Sequence, residues 1–347
     1  MSKPLTIAIT GLNAIDSPGP GIGVARALKD DPDLNPRIIG LSYESLEPGV
    51  YMHDVIDKSY QIPYPSAGSE ALFNRLMIIH EKEKLDLVIP NFDSELFNFI
   101  RLAGKLASQG IFSFLPSHAQ LEALDKMHLS EFGLKNQVKT PHTAFITSLE
   151  EAKKVLEEFE FPLMVKGKFY EAFQANSEEQ MAGYFHKLSA KWGLPVVLQQ
   201  MVHGTEIDVA GLGDGEGNLI GAIPMRKLYI TDKGKGWSGV VLDDPELITL
   251  AQNFCTASQW RGGFELEYIK TNQDEFYLLE VNPRFPAWIY TTAAAGQNLP
   301  SALVKLALHL PFTPFNGYQP GKMFVRYAWD LITDIDEFHK ISTLGEL

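Results

Sequence analysis

The chain has 347 residues, which at roughly 100–200 residues per domain predicts two or three domains. Hydrophobic residues make up 45% of it and charged residues 21%, proportions that exclude general disorder. With 43 acidic against 30 basic side chains the net charge is −13, which repels phosphate backbones, so nucleic acid is not expected as a partner. The single cysteine, Cys255, excludes an intramolecular disulfide and a cysteine-based metal site.

The beginning of the chain bears on its location. A strand-like apolar run occupies residues 5–9 at once, without the charged head, long apolar core and cleavage site of a signal peptide. No apolar stretch approaches the ~20 residues that a membrane-spanning helix needs. We therefore expect a cytoplasmic protein with no membrane partner.

Short apolar runs alternate with amphipathic helical segments in residues 5–116. The strand candidates are residues 5–10, 37–41, 85–90 and 111–115, and the helix candidates are residues 22–29, 71–83 and 94–108. Strands separated by helices of this length predict a parallel sheet with right-handed crossovers. The nearly continuous apolar character of the strands indicates that both faces of this sheet are covered.

Two further regions follow, with no Gly/Ser linker between them. Residues 121–202 predict a small α+β unit, in which Ser148 is expected to cap a helix, with Glu151 completing a capping box. Residues 203–347 are richer in strands. They contain two predicted hairpins, one around the glycine-rich turn 213–218 and one around residues 271–274.

The second hairpin carries the strongest chemical signal. Glu280 and Asn282 are two residues apart on a strand and therefore project from one face. Glu267 lies thirteen residues before Glu280, on the partner strand, from which it can reach the same face. Two carboxylates and an amide oxygen are hard ligands of the kind that Mg²⁺ prefers. Arg284 adds a cation on that side.

This pattern resembles the metal-binding signature of the ATP-grasp superfamily. The long loop after Arg226-Lys227 and the segment Asn-Pro-Arg-Phe-Pro resemble its carbamoyl-phosphate-synthase-like branch. The resemblance implies an α/β chain, with a Rossmann-like domain over residues 1–120 and an ATP-grasp fold of two α+β subdomains, residues 121–202 and 203–347. It also implies a ligase that joins a carboxylate to an amine through an acyl-phosphate, using ATP, bound between the subdomains, and Mg²⁺ or Mn²⁺.

The same resemblance assigns the nucleotide-binding residues. Lys126 and Lys166 would hold the phosphates, and Gln199 would face the adenine amino group. Backbone groups of Met201 and Val202 would pair with the adenine edge, and Glu206 would accept hydrogen bonds from the ribose. Residues 167–174 depart from the pattern, because many relatives carry a glycine-rich loop there. Lys168 is an alternative phosphate contact in this chain.

On the reaction side, the resemblance gives Arg226 and Arg284 the task of stabilising the transferring phosphoryl group. Lys227 alternates to the opposite face and carries less weight. The basic, glycine-rich residues 231–239 have the composition of a lid, and Lys235 within them is a candidate substrate contact. Asp93 and Glu95 follow a strand at its carboxyl end, where α/β sheets bind ligands, and could receive an amine.

Two other interpretations stay open. The residues Gly21-Ile22-Gly23 and the spacing from Tyr229 to Lys233 resemble short-chain NAD(P)-dependent oxidoreductases, although the loop after the first strand is too long for their tight turn. A nucleotide-binding protein without ligase activity is the second alternative. The sequence does not identify the carboxylate and amine, which could be small molecules or peptide ends. A homodimer is possible.

Overall fold

A computed structural model describes residues 4–15, 17–167, 171–231 and 234–347. The chain separates into two compact units. The larger unit consists of Met1–Gln120, Asp208–Leu266 and Asn282–Leu347, and the smaller unit consists of Leu121–Ile207 and Glu267–Val281. The three-part division of the sequence stays a prediction. Within the described residues, no helix combines the length and the apolarity that crossing a membrane would need.

The first elements of the larger unit alternate between strands and helices. They are β1 (Thr6–Ile9), β2 (Ala14–Ile15), β3 (Ser17–Pro18), α1 (Pro20–Lys29), β4 (Arg37–Ser42), β5 (Lys58–Gln61), α2 (Ser69–Glu83), β6 (Leu87–Ile89) and α3 (Asp93–Ala107). Four strands form a parallel sheet in the order β5-β4-β1-β6. The chain is therefore mixed α/β, and buried apolar side chains lie on both sides of this sheet, as the continuous apolar runs predicted.

Two strands of this sheet differ from the sequence prediction. β5 was not expected, because its sequence Lys-Ser-Tyr-Gln is polar, although Ser59 and Tyr60 are buried. The expected strand at residues 111–115 is reduced to a single parallel bridge between Leu87 and Phe112. Hydrophobic patterning missed the first strand and overestimated the second. Whether such short segments pair depends on partners that lie far away in the chain.

The smaller unit is built around an antiparallel sheet. In chain order, the next elements are α4 (His118–Ala123), α5 (Leu129–Asn136), β7 (Thr143–Ile146), α6 (Leu149–Val155), β8 (Leu163–Lys166), β9 (Ala172–Ala175), α7 (Glu178–Trp192) and β10 (Val196–Gln200). The strand order is β7-β10-β8-β9. The predicted cap is confirmed, since the Ser148 hydroxyl accepts a hydrogen bond from the Glu151 amide at 3.1 Å.

The remaining strands form a six-stranded sheet in the order β15-β14-β11-β12-β13-β16. The elements are β11 (Thr205–Asp214), β12 (Leu219–Ile230), β13 (Gly236–Val241), α8 (Pro245–Ser258), β14 (Arg261–Lys270), β15 (Phe276–Asn282), α9 (Tyr290–Ala294), α10 (Leu299–Ala307), β16 (Met323–Val325) and α11 (Ile335–Leu344). Both predicted hairpin turns are present. The first contains Gly215 and Gly217, whose positive φ angles of 90° and 97° suit glycine.

The last residues of the chain return to the first sheet. Ser59 and Leu347 exchange two backbone hydrogen bonds of 2.7 and 2.8 Å, and the Gln61 amide donates to the Gly345 carbonyl at 2.9 Å. Arg75 also donates to the Gly345 carbonyl, at 2.6 Å, and Ile341 is fully buried. The outer edge of β5 is thus covered by residues 345–347.

Candidate functional site

A solvent-open hollow of about 380 Å³ lies within the smaller unit. Two of its lining residues are lysines, and the rest are polar or apolar side chains without charge. The lining residues are Lys126, Leu129, Ser130, Thr140, Pro141, Thr143, Lys166, Val197, Gln199, Leu278 and Leu279. The structure therefore brings together three residues that the sequence assigned to a nucleotide, namely Lys126, Lys166 and Gln199.

The antiparallel pairing of β8 and β10 sets which side chains share the hollow. Lys166 lies directly opposite Val197, so the two side chains project from the same face of the sheet. Gln199 is two residues beyond Val197 and points to that face as well. Its amide donates to the Thr143 hydroxyl at 3.2 Å. One face of a short sheet thus presents a cation, an apolar surface and an oriented amide.

A break between two helices positions Lys126. α4 ends at Ala123, and α5 begins only at Leu129. The Asp125 carboxylate accepts hydrogen bonds from the amides of Met127 (2.9 Å) and His128 (3.0 Å). An aspartate that binds nearby amides in this way competes with helix formation. Lys126 therefore lies in a turn.

The charged groups at the hollow interact with one another. The Lys126 ammonium lies 3.2 Å from a carboxylate oxygen of Glu280, and about a third of each side chain is exposed. Burial raises the pKa of Glu280; the nearby charge of Glu267 raises it further, while Lys126 and Lys166 oppose both effects. Burial likewise lowers the pKa of Lys166, and Glu280 counteracts this. Two lysines that line the hollow thus lie close to two carboxylates.

Glu267 and Glu280 are suited to a divalent metal ion. The charge of Glu267 disfavours ionisation of Glu280, and a cation near both would offset that cost. Carboxylate oxygens are the ligands that Mg²⁺ uses, normally with phosphate oxygens and water. Among the described residues no group of three or more His, Cys, Asp and Glu side chains could hold a metal ion. The donor set fits a metal that brings other ligands with it.

Three predicted nucleotide residues lie outside the lining of the hollow. Met201 and Val202 follow β10 directly and are partly buried, and Glu206 is the second residue of β11, also partly buried. All three belong to the smaller unit. Their assigned roles stay predictions. Residues 168–170, including the alternative phosphate contact Lys168, lie outside the described residues.

In the larger unit, Asn282 and Arg284 converge on a glutamate that the sequence analysis did not select. The buried Glu265 carboxylate accepts from the Asn282 amide at 3.0 Å, from the Trp288 indole at 2.8 Å and from the Arg284 guanidinium at 3.3 Å. Arg284 also lies 3.4 Å from Asp93. The sequence did carry a signal for Glu265, since it lies two residues before Glu267 on the same strand.

On β12 the two neighbouring cations face opposite ways. Arg226 lies opposite Val240 and is exposed, whereas Lys227 lies opposite Gly239. The Lys227 ammonium is 3.2 Å from the Asp208 carboxylate, with only 8% and 4% of the two side chains exposed. Arg226 was the stronger candidate from the sequence, but Lys227 is the cation that the fold buries beside a carboxylate.

The proposed lid is described only in part, because Asp232 and Lys233 lie outside the described residues. Lys235 is exposed, and its carbonyl accepts from the Thr231 amide at 2.8 Å. Tyr229, which belongs to the oxidoreductase-like spacing, is 64% exposed.

Glu95 is completely buried near the carboxyl ends of β1 and β6. Its carboxylate accepts from the hydroxyls of Thr10 and Tyr43 and from the amides of Asn91 (2.8 Å) and Phe92 (3.0 Å). Burial raises the pKa of Glu95 to about 7, although these hydrogen bonds favour the ionised form. The group is enclosed by protein donors, whereas Asp93 is exposed at the start of α3.

Comparison with known proteins agrees with this architecture. Residues 194–327 match the family described as "ATP-grasp in the biosynthetic pathway with Ter operon". The carbamoyl phosphate synthase large chain of Clostridium beijerinckii is 27% identical over 245 residues, which are 67% of this chain and 22% of that protein. The D-alanine–D-alanine ligase of Pseudomonas entomophila is 27% identical over 176 residues, covering 46% of this chain and 54% of that one.

A solved structure shares the fold over most of the chain. It is the biotin carboxylase domain dimer of Hydrogenobacter thermophilus 2-oxoglutarate carboxylase, in complex with MgADP, ADP and bicarbonate. The TM-score is 0.69 at 18% identity, over 90% of this chain and 73% of that one. The chain spans about a fifth of the length of the synthase that it matches. Residues 194–327 thus match an ATP-grasp family, the chain is similar in sequence to carbamoyl phosphate synthases and D-alanine–D-alanine ligases, and it shares the fold of a biotin carboxylase domain.

Proposed function

We propose that this chain is an ATP- and Mg²⁺-dependent ligase that joins a carboxylate to an amine through an acyl-phosphate. The observation that carries this proposal is the hollow in the smaller unit, where Lys126 and Lys166 adjoin the carboxylates of Glu267 and Glu280. A magnesium nucleotide brings an anion for the lysines and a cation for the carboxylates at the same time. The charge pattern therefore fits a metal–nucleotide complex better than either component alone.

In this proposal the chain's own side chains bind and orient ATP. Lys126 and Lys166 hold phosphate oxygens, and Gln199 faces the adenine amino group above the apolar lining. Met201 and Val202 contribute backbone groups to the adenine edge, and Glu206 binds the ribose. The Lys126–Glu280 ion pair exchanges partners when the nucleotide binds. A rigid apolar slot with a few fixed polar groups is the usual form of such a site.

Glu267 and Glu280 are the proposed metal ligands, with Asn282, two residues after Glu280 on the same strand, as a third. The metal ion, Mg²⁺ or Mn²⁺, supplies charge neutralisation for the phosphates during transfer. The amide of Asn282 is held by its hydrogen bond to Glu265, which limits its rotation. A fixed ligand costs less conformational entropy on binding than a mobile one.

For the reaction, we assign Arg284 to the transferring phosphoryl group and retain Arg226 as the sequence-based candidate. Lys227, the buried cation of that strand, is the alternative to Arg226, because the two side chains project from opposite faces of the sheet. The γ-phosphoryl group passes from ATP to a substrate carboxylate oxygen, and an amine then displaces phosphate from the acyl carbon. Positioned cations are the main means by which proteins stabilise phosphoryl transfer.

The substrates remain a class: small-molecule or peptide carboxylates and amines. Asp93 and Lys235 are the exposed candidates for contacting them, whereas Glu95 is enclosed. We further propose that the N-terminal parallel sheet belongs to a Rossmann-like domain. The protein is also proposed to be cytoplasmic and to form a homodimer. The solved relative with MgADP and bicarbonate, described as a domain dimer, supports the cofactor and the assembly.

Thermal stabilisation by nucleotides tests the proposal. Ligands that bind only the folded state raise the melting temperature by mass action. We expect ATP to raise it in a Mg²⁺-dependent way, and NADH to have no effect. Glu280→Gln should remove the Mg²⁺ dependence, whereas the matched variant Glu275→Gln, in an exposed ion pair with Lys139, should behave as wild type.

A shift with NADH alone would overturn the proposal and favour an oxidoreductase. A Mg²⁺-dependent shift with ATP, combined with no phosphate release for any carboxylate and amine pair, would favour a nucleotide-binding protein without ligase activity. Phosphate release that requires both substrates would establish the ligase.

A further inference from the structure

Large apolar side chains are unusually exposed near the end of the chain. We call residues 322–335 the C-terminal strap. Its exposed apolar side chains, with their exposed fractions, are Met323 (57%), Val325 (66%), Tyr327 (77%), Trp329 (85%), Leu331 (38%), Ile332 (88%) and Ile335 (64%). Single exposed apolar residues are normal on a protein surface, but a contiguous group of this kind indicates an interaction site.

The strap is held in place at both ends. β16 pairs with β13, with Met323 opposite Val240 and Val325 opposite Ser238. The next residue, Arg326, continues this pairing through its amide and donates to the Ser17 hydroxyl. At the other end the strap leads into α11, which is anchored by the fully buried side chain of Ile341. The apolar side chains are thus presented by anchored backbone.

One edge of the strap's strand has no neighbour among the described residues. β16 is the last strand in the order of the six-stranded sheet, with β13 on its other side. Proteins usually protect such edges with charges, prolines or a covering segment, because an open edge pairs readily with another strand. Met323 and Val325 are exposed here instead.

The charges of the strap are arranged so that two copies complement each other. Lys322 lies at one end of it, and Asp330 and Asp334 lie toward the other, all three exposed. If two straps run antiparallel about a two-fold axis at Ala328, Lys322 lies opposite Asp334 of the partner subunit. The same axis sets Phe324 against Ile332, Val325 against Leu331 and Tyr327 against Trp329 of the partner subunit, whereas Met323 lies against Thr333. A surface that complements itself in this way is what a two-fold symmetric dimer requires.

We propose that the C-terminal strap is the docking surface for a second copy of this chain, with the two straps antiparallel about Ala328. This inference rests on the homodimer of the preceding subsection and is independent of the ligase activity. Aromatic residues at the centre of an interface contribute most of the binding energy, which makes Tyr327 and Trp329 the main anchors.

Sedimentation velocity over a wide range of protein concentration tests the surface. The wild-type chain is expected to form a dimer, and Trp329→Ser should raise its dissociation constant about 30-fold or more. Leu134→Ser is the matched control, because Leu134 is equally exposed, at 85%, but lies in α5 of the smaller unit. That control should leave the dimer unchanged.

Charge reversal tests the antiparallel arrangement. Lys322→Asp and Asp334→Lys should each weaken the dimer, because each sets like charges against each other. An equimolar mixture of the two variants should dimerise more tightly than either alone, since every facing pair is then of opposite sign.

If the wild-type chain is a monomer at all concentrations, both the inference and the proposed homodimer are wrong. A different protein would then be the binding partner of the strap. A dimer that Trp329→Ser and both charge reversals leave intact would overturn only the inference. ATP-induced stabilisation, measured on the same samples, reports separately on the proposed ligase function.

Discussion

Glu95 in the larger unit and Glu280 in the smaller unit are both carboxylates whose pKa burial raises. Their partners differ. Glu95 accepts hydrogen bonds from two hydroxyls and two backbone amides and is fully enclosed. Glu280 has a lysine as its partner, a second carboxylate nearby and about a third of its side chain exposed.

This comparison separates two uses of a buried acid. Backbone amides and enclosed hydroxyls cannot leave Glu95 without disturbing the fold, so its partners are permanent. A lysine on a flexible stem can exchange one carboxylate for a phosphate. The raised pKa values by themselves would not distinguish the two sites, because structural networks also perturb pKa values. What distinguishes the two sites is whether the group that contacts the glutamate can move to another partner.

The Lys227–Asp208 pair extends the comparison to a carboxylate that is both enclosed and paired with a lysine. Lys227→Met should destabilise the fold by about 3–5 kcal/mol, because it leaves a buried charge uncompensated. Arg226→Met, one residue earlier on the exposed face, should change stability by no more than about 0.5 kcal/mol. Urea unfolding of both variants measures this difference, and equal effects would show that the burial of the pair is irrelevant.

Removing the charge of Glu280 should affect activity more than folding. In Glu280→Gln we expect turnover to fall about 10²–10³-fold, equivalent to about 3–4 kcal/mol, because one electrostatic contact to the metal–nucleotide complex is lost. Steady-state phosphate release measures it, with Glu275→Gln as the control. If Glu280→Gln has the turnover of the wild type, Glu280 is a structural acid like Glu95 and does not take part in the reaction.

Glu95 should instead appear in the pH dependence of stability. Its pKa is about 7 in the folded chain and ordinary when unfolded, so the folded state binds the extra proton between these values. The free energy of unfolding should therefore fall as pH rises from about 4 to 7, by roughly 3 kcal/mol at most, and then level off.

Glu95→Gln should flatten that part of the pH profile, because its side chain does not titrate. Urea unfolding of the variant and the wild type at several pH values provides the measurement. Parallel profiles would mean that Glu95 does not titrate in this window.

The smallest effect is expected at the exposed ion pair of Lys139 and Glu275, whose charged atoms are 2.6 Å apart. Solvent screens such pairs and their side chains lose freedom on pairing, so Lys139→Ala should leave the melting temperature within experimental error. Differential scanning calorimetry measures it. A clear loss of stability would show that exposed charges in the smaller unit are coupled more strongly than their solvation suggests.

Much of this architecture follows from local patterns in the sequence. The strands β1, β4 and β6 are apolar on both faces, and such continuous apolar runs identify them as buried strands. Glu280 and Asn282 stand two residues apart within a largely apolar strand, so the alternation of the strand places them on one face. Lys166 ends a recognisable strand. Lys126 was a weaker case, because its position depends on a turn that Asp125 creates by binding two amides.

Other features depend on contacts that no short pattern contains. Alternation along β12 shows that Arg226 and Lys227 face opposite ways, but not which face is inside. That choice depends on Asp208, which lies on the neighbouring strand, and the pairing with β13 is irregular after Lys227. The spacing to Glu267 marks the face of the strand that Glu265 shares, but not its partners, which lie 17 to 23 residues later in the chain.

The backbone pairing of residues 345–347 with β5 links folding to synthesis. More than 280 residues separate β5 from its outer neighbour, so that neighbour is synthesised much later than the strand it covers. Contacts between such distant segments slow folding, because a long loop must close before they form. Deleting residues 345–347 would therefore expose an edge of the N-terminal sheet and leave it incomplete, although these residues lie far from that sheet in the sequence.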